Sequence, residues 1–229
     1  MRYGLLFLIL ALSLGGLGVV SGGGALGALW PALSVLVVAL AYLGKRPGWI
    51  GKRADGTLAL WSYPLLGPYL FFAWLIVLAG RLLGREDASN EIVPGLWVGR
   101  WPRATDLPPG AAHVLDLTAE LSAAPAVRAL PGYLCVPLLD GTPPDPAALR
   151  ALVDRLREAP GLLVHCAYGH GRSATVAAAL LLDRGHCADV EAAVALLKSR
   201  RPGVRLNAEQ RAALAVIGPS RGPGAPGGG

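Results

Sequence analysis

The chain has 229 residues, a net charge of +6, 53% hydrophobic residues and only 16% charged ones. Its mean hydropathy of +0.48 excludes an ordinary soluble enzyme. The length allows one globular domain and an additional apolar region. The basic excess calls for no nucleic acid, since much of it flanks apolar segments, where Lys and Arg meet anionic lipid.

The apolar content is unevenly spread. Residues 3–43 and 57–80 carry no charged side chain, whereas Arg81–Arg211 mixes charged and apolar positions. This places a membrane region at 1–84, a globular domain at 85–217 and a tail from Gly218 that is too poor in apolar surface to order itself. Tyr3–Val20 and Ala25–Leu43 approach the roughly 20 residues that a helix needs to cross a bilayer core. Ser21-Gly22-Gly23-Gly24 reads as the turn between them. A cleaved signal peptide is the rival reading of the first segment, and the second segment, only a few residues on, favours a helical hairpin.

A third segment, Tyr63–Gly80, begins with Pro64 and Pro68 and carries aromatic residues suited to the headgroup level. Full crossing, re-entry and an interfacial position all fit it. Lys45, Arg46, Lys52 and Arg53 place the loop after the second segment in the cytoplasm, so a third crossing would put the globular domain outside. Arg81 and Arg85 suit a cytoplasmic flank instead. Cys135, Cys166 and Cys187 are odd in number with no CxxC spacing, which suits a reducing compartment and argues against structural zinc. The expected location is a membrane of the bacterial inner-membrane type, with the globular domain on its cytoplasmic side.

From residue 91 the pattern is α/β. The stretches 91–99, 112–118, 132–138 and 161–166 are short apolar runs bounded by Pro and Gly, as buried strands are. Helices are expected at 147–158, 175–183, 190–198 and 208–217. Strand and helix interleave to about residue 165, after which helices dominate.

The segment Val164–Thr175, "VHCAYGHGRSAT", carries the chemistry. An apolar run delivers Cys166, Gly169 and Gly171 permit tight turns, and Arg172-Ser173 opens an Ala- and Leu-rich helix. Such a loop can aim successive backbone N–H groups at one point, and the following helix adds the positive end of its dipole. The same field favours a thiolate at Cys166. Arg172 offers a planar fork for two phosphate oxygens. Ser173 can donate to the sulfur when it leaves, and His165 is placed to order the loop. A lone cysteine in a glycine-containing turn would be structural; the full H-C-x-x-G-x-x-R-S pattern between strand and helix is not explained that way.

This pattern resembles the signature loop of the dual-specificity phosphatases, a family of the cysteine-dependent protein tyrosine phosphatase superfamily, and the resemblance covers about residues 91–217. It implies a central sheet flanked by helices, here preceded by the transmembrane helical region. It also implies a cysteinyl-phosphate mechanism in which Ala167, Tyr168, Gly169, His170, Gly171 and Arg172 cradle the phosphate, with no metal or cofactor. An aspartate on a separate loop must protonate the leaving oxygen. Asp145 precedes Pro146 and has a ready explanation as a helix N-cap, so the acid is assigned to Asp140.

Asn207 and Gln210 match a family segment but are spaced as a capping box. Asp116 and Glu120 read as local structural partners, and His113 and His186 as surface residues. His170 either lines the pocket or faces water. The resemblance is to compact members with shallow pockets, so a phosphoprotein is the first substrate reading. A phospholipid held at the bilayer surface is the alternative, although the loop lacks the lysines that suit highly charged headgroups. Two further classes fit less well: a phosphate-binding scaffold would have lost Cys166 or Arg172, and sulfur transfer leaves Asp140 unexplained.

Overall fold

The computed structural model describes residues 2–215 and 217. The expected disordered tail lies outside them. The chain forms two compact units.

The first unit holds the residues up to Arg85 together with Thr118–Ala123 and Cys135–Leu139. Three helices build it: α1 (Arg2–Ser21), α2 (Leu29–Leu43) and α3 (Ser62–Leu83). The chain reverses after α1 at Gly22 and Gly23, whose φ values of 57° and 53° suit glycine. A 3-10 segment, Gly23–Ala28, then leads into α2. The hairpin packs closely because its contact positions are small: a Cβ at Gly4 would come within 2.9 Å of the Leu43 side chain. All three helices are long and apolar enough to cross a membrane, α2 being counted with its 3-10 lead-in.

The third segment forms one continuous helix although Pro68 lies inside it. Pro64 sits in the first turn, where a missing N–H costs nothing. Pro68 has no N–H to offer the carbonyl of Pro64, one turn back, and the indole N–H of Trp30 donates to that carbonyl instead at 2.7 Å. A tertiary hydrogen bond thus replaces the helical one.

Between α2 and α3, Lys52 is buried at 8% exposure. Its Nζ donates to Thr118 Oγ1 at 3.2 Å and to the Leu121 carbonyl. The basic flank read from the sequence is therefore partly an internal anchor. Ile50, Leu58, Leu66, Leu70, Ala119 and Leu139 share one apolar cluster of this unit with Val38, Ala41 and Tyr42.

The second unit holds Glu86–Leu117, Ala124–Leu134 and the chain from Asp140 onward. The strands are β1 (Ser89–Val93), β2 (Leu96–Gly99), β3 (His113–Thr118), β4 (Gly132–Leu138) and β5 (Leu162–His165), in the sheet order β1-β2-β5-β3-β4. The stretch 91–99, read as one strand, is instead part of a hairpin. Pro94-Gly95 turns the chain, with Gly95 at φ 80°, and β1 pairs antiparallel with β2. That dipeptide is a turn signal, so the correction was available in the sequence.

β5 pairs in parallel with both β2 and β3. All four of its residues are buried, and a strand covered on both faces must be apolar throughout, as Leu162-Leu163-Val164 is. Val114 and Leu163 pack with Val127 from the short helix α4 (Pro125–Arg128), which periodicity did not reveal. In α5 (Pro146–Leu156), Leu149, Leu152, Val153 and Leu156 form the buried face, while the Asp145 carboxylate accepts from the Ala148 N–H at 3.0 Å. α6 (Arg172–Asp183) is buried along its whole length, which matches its lack of a polar face. It starts earlier than the apolar periodicity indicates. Its last residue, Asp183, accepts from Arg157 at 2.6 and 2.8 Å and from Arg150 at 3.0 Å. α7 (Val190–Arg200) and α8 (Ala208–Leu214) complete the fold.

Candidate active site

The site lies at the C-terminal end of β5, where a parallel sheet leaves its loops free to carry chemistry. Cys166 follows directly and is 3% exposed. The Gly169 N–H donates to its sulfur at 3.2 Å, and Ser173 Oγ lies 3.4 Å from it. Gly169 has φ 79°, and a Cβ there would meet the Gly99 carbonyl oxygen at 2.6 Å, so the loop closes only with glycine. Gly171 precedes α6, and Thr175 Oγ1 donates to its carbonyl at 2.9 Å. The loop thus ends directly on the helix N-terminus.

Arg172 is 0% exposed. Its Nη1 donates to the Leu117 carbonyl at 3.4 Å, and its Nε lies 3.3 Å from Asp140 Oδ1. The Asp140 side chain is 67% exposed. Its loop is held by Asn207, whose Nδ2 donates to the Gly141 carbonyl at 2.7 Å. The structure therefore sets Ser173 beside Cys166 and Asp140 beside Arg172. It leaves Asp145 in its capping role.

Burial of the Cys166 sulfur opposes its ionisation. The Arg172 charge, the Ser173 hydroxyl and N–H, and the Gly169 N–H outweigh that cost and hold the thiol below its ordinary value.

The neighbouring side chains divide between support and unused capacity. His165 is fully buried, with Nε2 3.8 Å from Asp116 Oδ1, and Asp116 Oδ2 accepts from the Tyr133 hydroxyl at 2.8 Å. These groups brace the strand ends beneath the loop, in keeping with the structural reading of Asp116. Asn207 and Gln210 form the expected capping box, with bonds of 2.9 and 3.0 Å. The Gln210 amide nitrogen is also buried without a hydrogen-bond partner. It lies 3.1 Å from the position that a Cβ on Gly171 would take, and can serve a bound polar group. Among the described residues, no three His, Cys, Asp or Glu side chains gather as a metal-binding group.

Two supporting residues escaped the sequence reading. Arg201, 1% exposed, donates from Nη2 to the Tyr168 carbonyl at 2.7 Å. Glu86 Oε2 accepts from His170 Nε2 at 2.6 Å. The Arg-Pro pair at 201–202 was visible in the sequence, whereas nothing near Glu86 pointed to it.

Residues 144–218 match the family described as dual specificity phosphatase, catalytic domain. Among solved structures, Tk-PTP in its active form is 25% identical with a TM-score of 0.50, covering 57% of this chain and 95% of that one. Human DUSP28 is 23% identical with a TM-score of 0.46, over 57% of this chain and 92% of that one. PTPMT1 is 20% identical with a TM-score of 0.49, over 55% and 90%. A comparison with curated proteins finds no match.

Fold and site together define a cysteine phosphatase domain of the dual-specificity type. The family match lies within residues 144–218, the domain is accordingly that of a phosphoric monoester hydrolase, and candidate transmembrane helices lie on its N-terminal side.

Proposed function

We propose that the chain is a membrane-anchored phosphatase of phosphotyrosine, phosphoserine or phosphothreonine proteins, with residues 1–84 as the anchor and 85–217 as the catalytic domain. The observation that carries the reading is the sulfur of Cys166 between the Gly169 N–H and the Ser173 hydroxyl, six residues from the fully buried Arg172 on the same loop.

Cys166 Sγ, as thiolate, attacks phosphorus while the bond from phosphorus to the leaving oxygen breaks. Protonated Asp140 gives its proton to that oxygen. The backbone amides of Ala167–Arg172 and the Arg172 fork hold the phosphoryl oxygens as charge shifts among them. A water then attacks phosphorus and passes its proton to the Asp140 carboxylate. The phosphorus–sulfur bond breaks, and the Ser173 hydroxyl stabilises the departing thiolate at Cys166. Catalysis comes from positioned dipoles and one fixed cation, which are already aligned before substrate arrives.

A cytoplasmic catalytic domain is supported by Arg81 and Arg85, which follow the apolar run of the third helix, and by three cysteines with no disulfide among them. A reporter fused after Gly229 tests it, and an external signal refutes it. The alternative substrate, a phospholipid, is favoured by the three apolar helices that would hold the site at a bilayer.

The deciding experiment compares the full chain with Cys166→Ser on phosphotyrosine, phosphoserine and phosphothreonine peptides and on vesicles carrying phosphoinositide or phosphatidylglycerophosphate. Cys166-dependent release from peptides supports the first reading. Release from vesicles alone replaces it with the lipid reading.

A further inference from the structure

Glu86 lies three residues after the end of α3 and far in sequence from the signature loop, yet its carboxylate meets that loop directly. Oε2 accepts from His170 Nε2 at 2.6 Å and lies 3.4 Å from Arg201 Nη2, while Oε1 accepts from the Gly203 N–H at 2.8 Å. Arg201 reaches the same loop. Its Nη2 donates to the Tyr168 carbonyl, and its Nη1 donates to Asn90 Oδ1 at 2.7 Å and to the Asp87 carbonyl at 3.1 Å.

The packing leaves no room for slack. A Cβ on Gly203 would come within 2.4 Å of His170 Nε2 and 2.6 Å of Glu86 Oε1. The His170 carbonyl accepts from the Arg205 N–H at 3.0 Å, and the Tyr168 and His170 rings stack at 6.0 Å. The Tyr168 carbonyl and the His170 imidazole are thus tied to one guanidinium and one carboxylate. A chain segment whose outer side is held in this way keeps its inner amides aligned for an anion. Burial opposes ionisation of Glu86, but the His170 hydrogen bond, the Arg201 charge and the Gly203 N–H outweigh it and hold the carboxyl below its ordinary value.

We infer that Glu86 is a positioning residue of the phosphate loop: by gripping His170 and Arg201 it holds Tyr168–Gly171 in the conformation that binds the phosphoryl group. This rests on the phosphatase reading above. The two glycines beside His170 make the loop easy to deform, so the conformation has to be imposed from outside. The residue that imposes it follows α3 by only Gly84 and Arg85.

The test uses the full chain in detergent micelles, an aryl phosphate as substrate and vanadate as a phosphoryl analogue. Glu86→Gln is expected to raise both KM and the vanadate inhibition constant about tenfold, the order of one charge-assisted hydrogen bond, with Glu86→Asp recovering part of the loss. Glu86→Gln with His170→Ala should be no worse than the worse single variant, because both remove the same contact. Should Glu86→Gln fail to fold, His170→Ala alone is read by the same two constants. Constants within about twofold of wild type, even with a lowered Tm, make Glu86 merely structural and overturn the inference. Wild-type phosphate release that survives Cys166→Ser overturns the phosphatase reading and this inference with it. Release that depends on Cys166, with unchanged constants in Glu86→Gln, overturns the positioning role alone.

Discussion

The backbone N–H of Gly169 donates to the sulfur of Cys166 at 3.2 Å. The loop therefore favours the thiolate with a backbone N–H, the kind of group that also holds an anion.

The pH dependence follows from that contact. Because the Cys166 thiol is held below its ordinary value, the thiolate persists as pH falls and is lost only when pH passes below the lowered pKa. Alkylation of Cys166 by iodoacetamide should thus stay fast well below the pH at which a free thiol slows. Arg172→Ala removes the largest opposing influence to burial and should move the midpoint upward. An unmoved midpoint would mean that the guanidinium does not set the charge.

Asp140 and Asp145 separate by leaving group. Asp140→Asn is expected to slow hydrolysis of alkyl phosphates about 100-fold or more, the range for loss of a general acid, with a smaller effect on nitrophenyl phosphate. Asp145→Ala should leave rates alone and cost about 1 kcal/mol of stability, since it removes one N-cap. The reverse pattern would move the acid to Asp145.

Trp30 and Pro68 are coupled through one carbonyl. Trp30→Phe removes the donor to the Pro64 carbonyl and should destabilise the first unit by about 1 kcal/mol. Pro68→Ala supplies the helical N–H that this carbonyl lacks, so the Trp30→Phe loss should shrink in that background. Thermal unfolding of the four chains in micelles measures the cycle, and equal losses in both backgrounds would dissociate the two residues.

Lys52→Met takes the lysine hydrogen bonds from Thr118 Oγ1 and the Leu121 carbonyl while keeping the aliphatic stem. A loss of about 1–3 kcal/mol is expected for buried groups deprived of such a donor. A chain as stable as wild type in denaturant would show that Lys52 is no anchor.

The parts that were legible in the sequence are those set by short chain spacing. Cys166, Gly169, Arg172 and Ser173 lie within about two helical turns of one another, so strand, turn and helix dictate their mutual geometry almost without help. The Asp145 cap and the Asn207–Gln210 capping box are local for the same reason. The Pro94-Gly95 hairpin was equally local; it was read through because the apolar residues on either side run on without a polar break. Pro68 shows the opposite case, in which a strong local signal against a regular helix is answered by a side chain from another helix.

By itself the sequence determined the apolar helices, the phosphate loop and the chemistry that loop can perform, because covalent spacing and backbone preference decide contacts within a few residues. Only the tertiary structure decided that Asp140 stands 3.3 Å from Arg172, that the Leu117 carbonyl receives the arginine, and that Glu86 grips His170. Those contacts join segments distant along the chain, and their geometry comes from how strands β3, β4 and β5 and the helices pack, which no local pattern encodes.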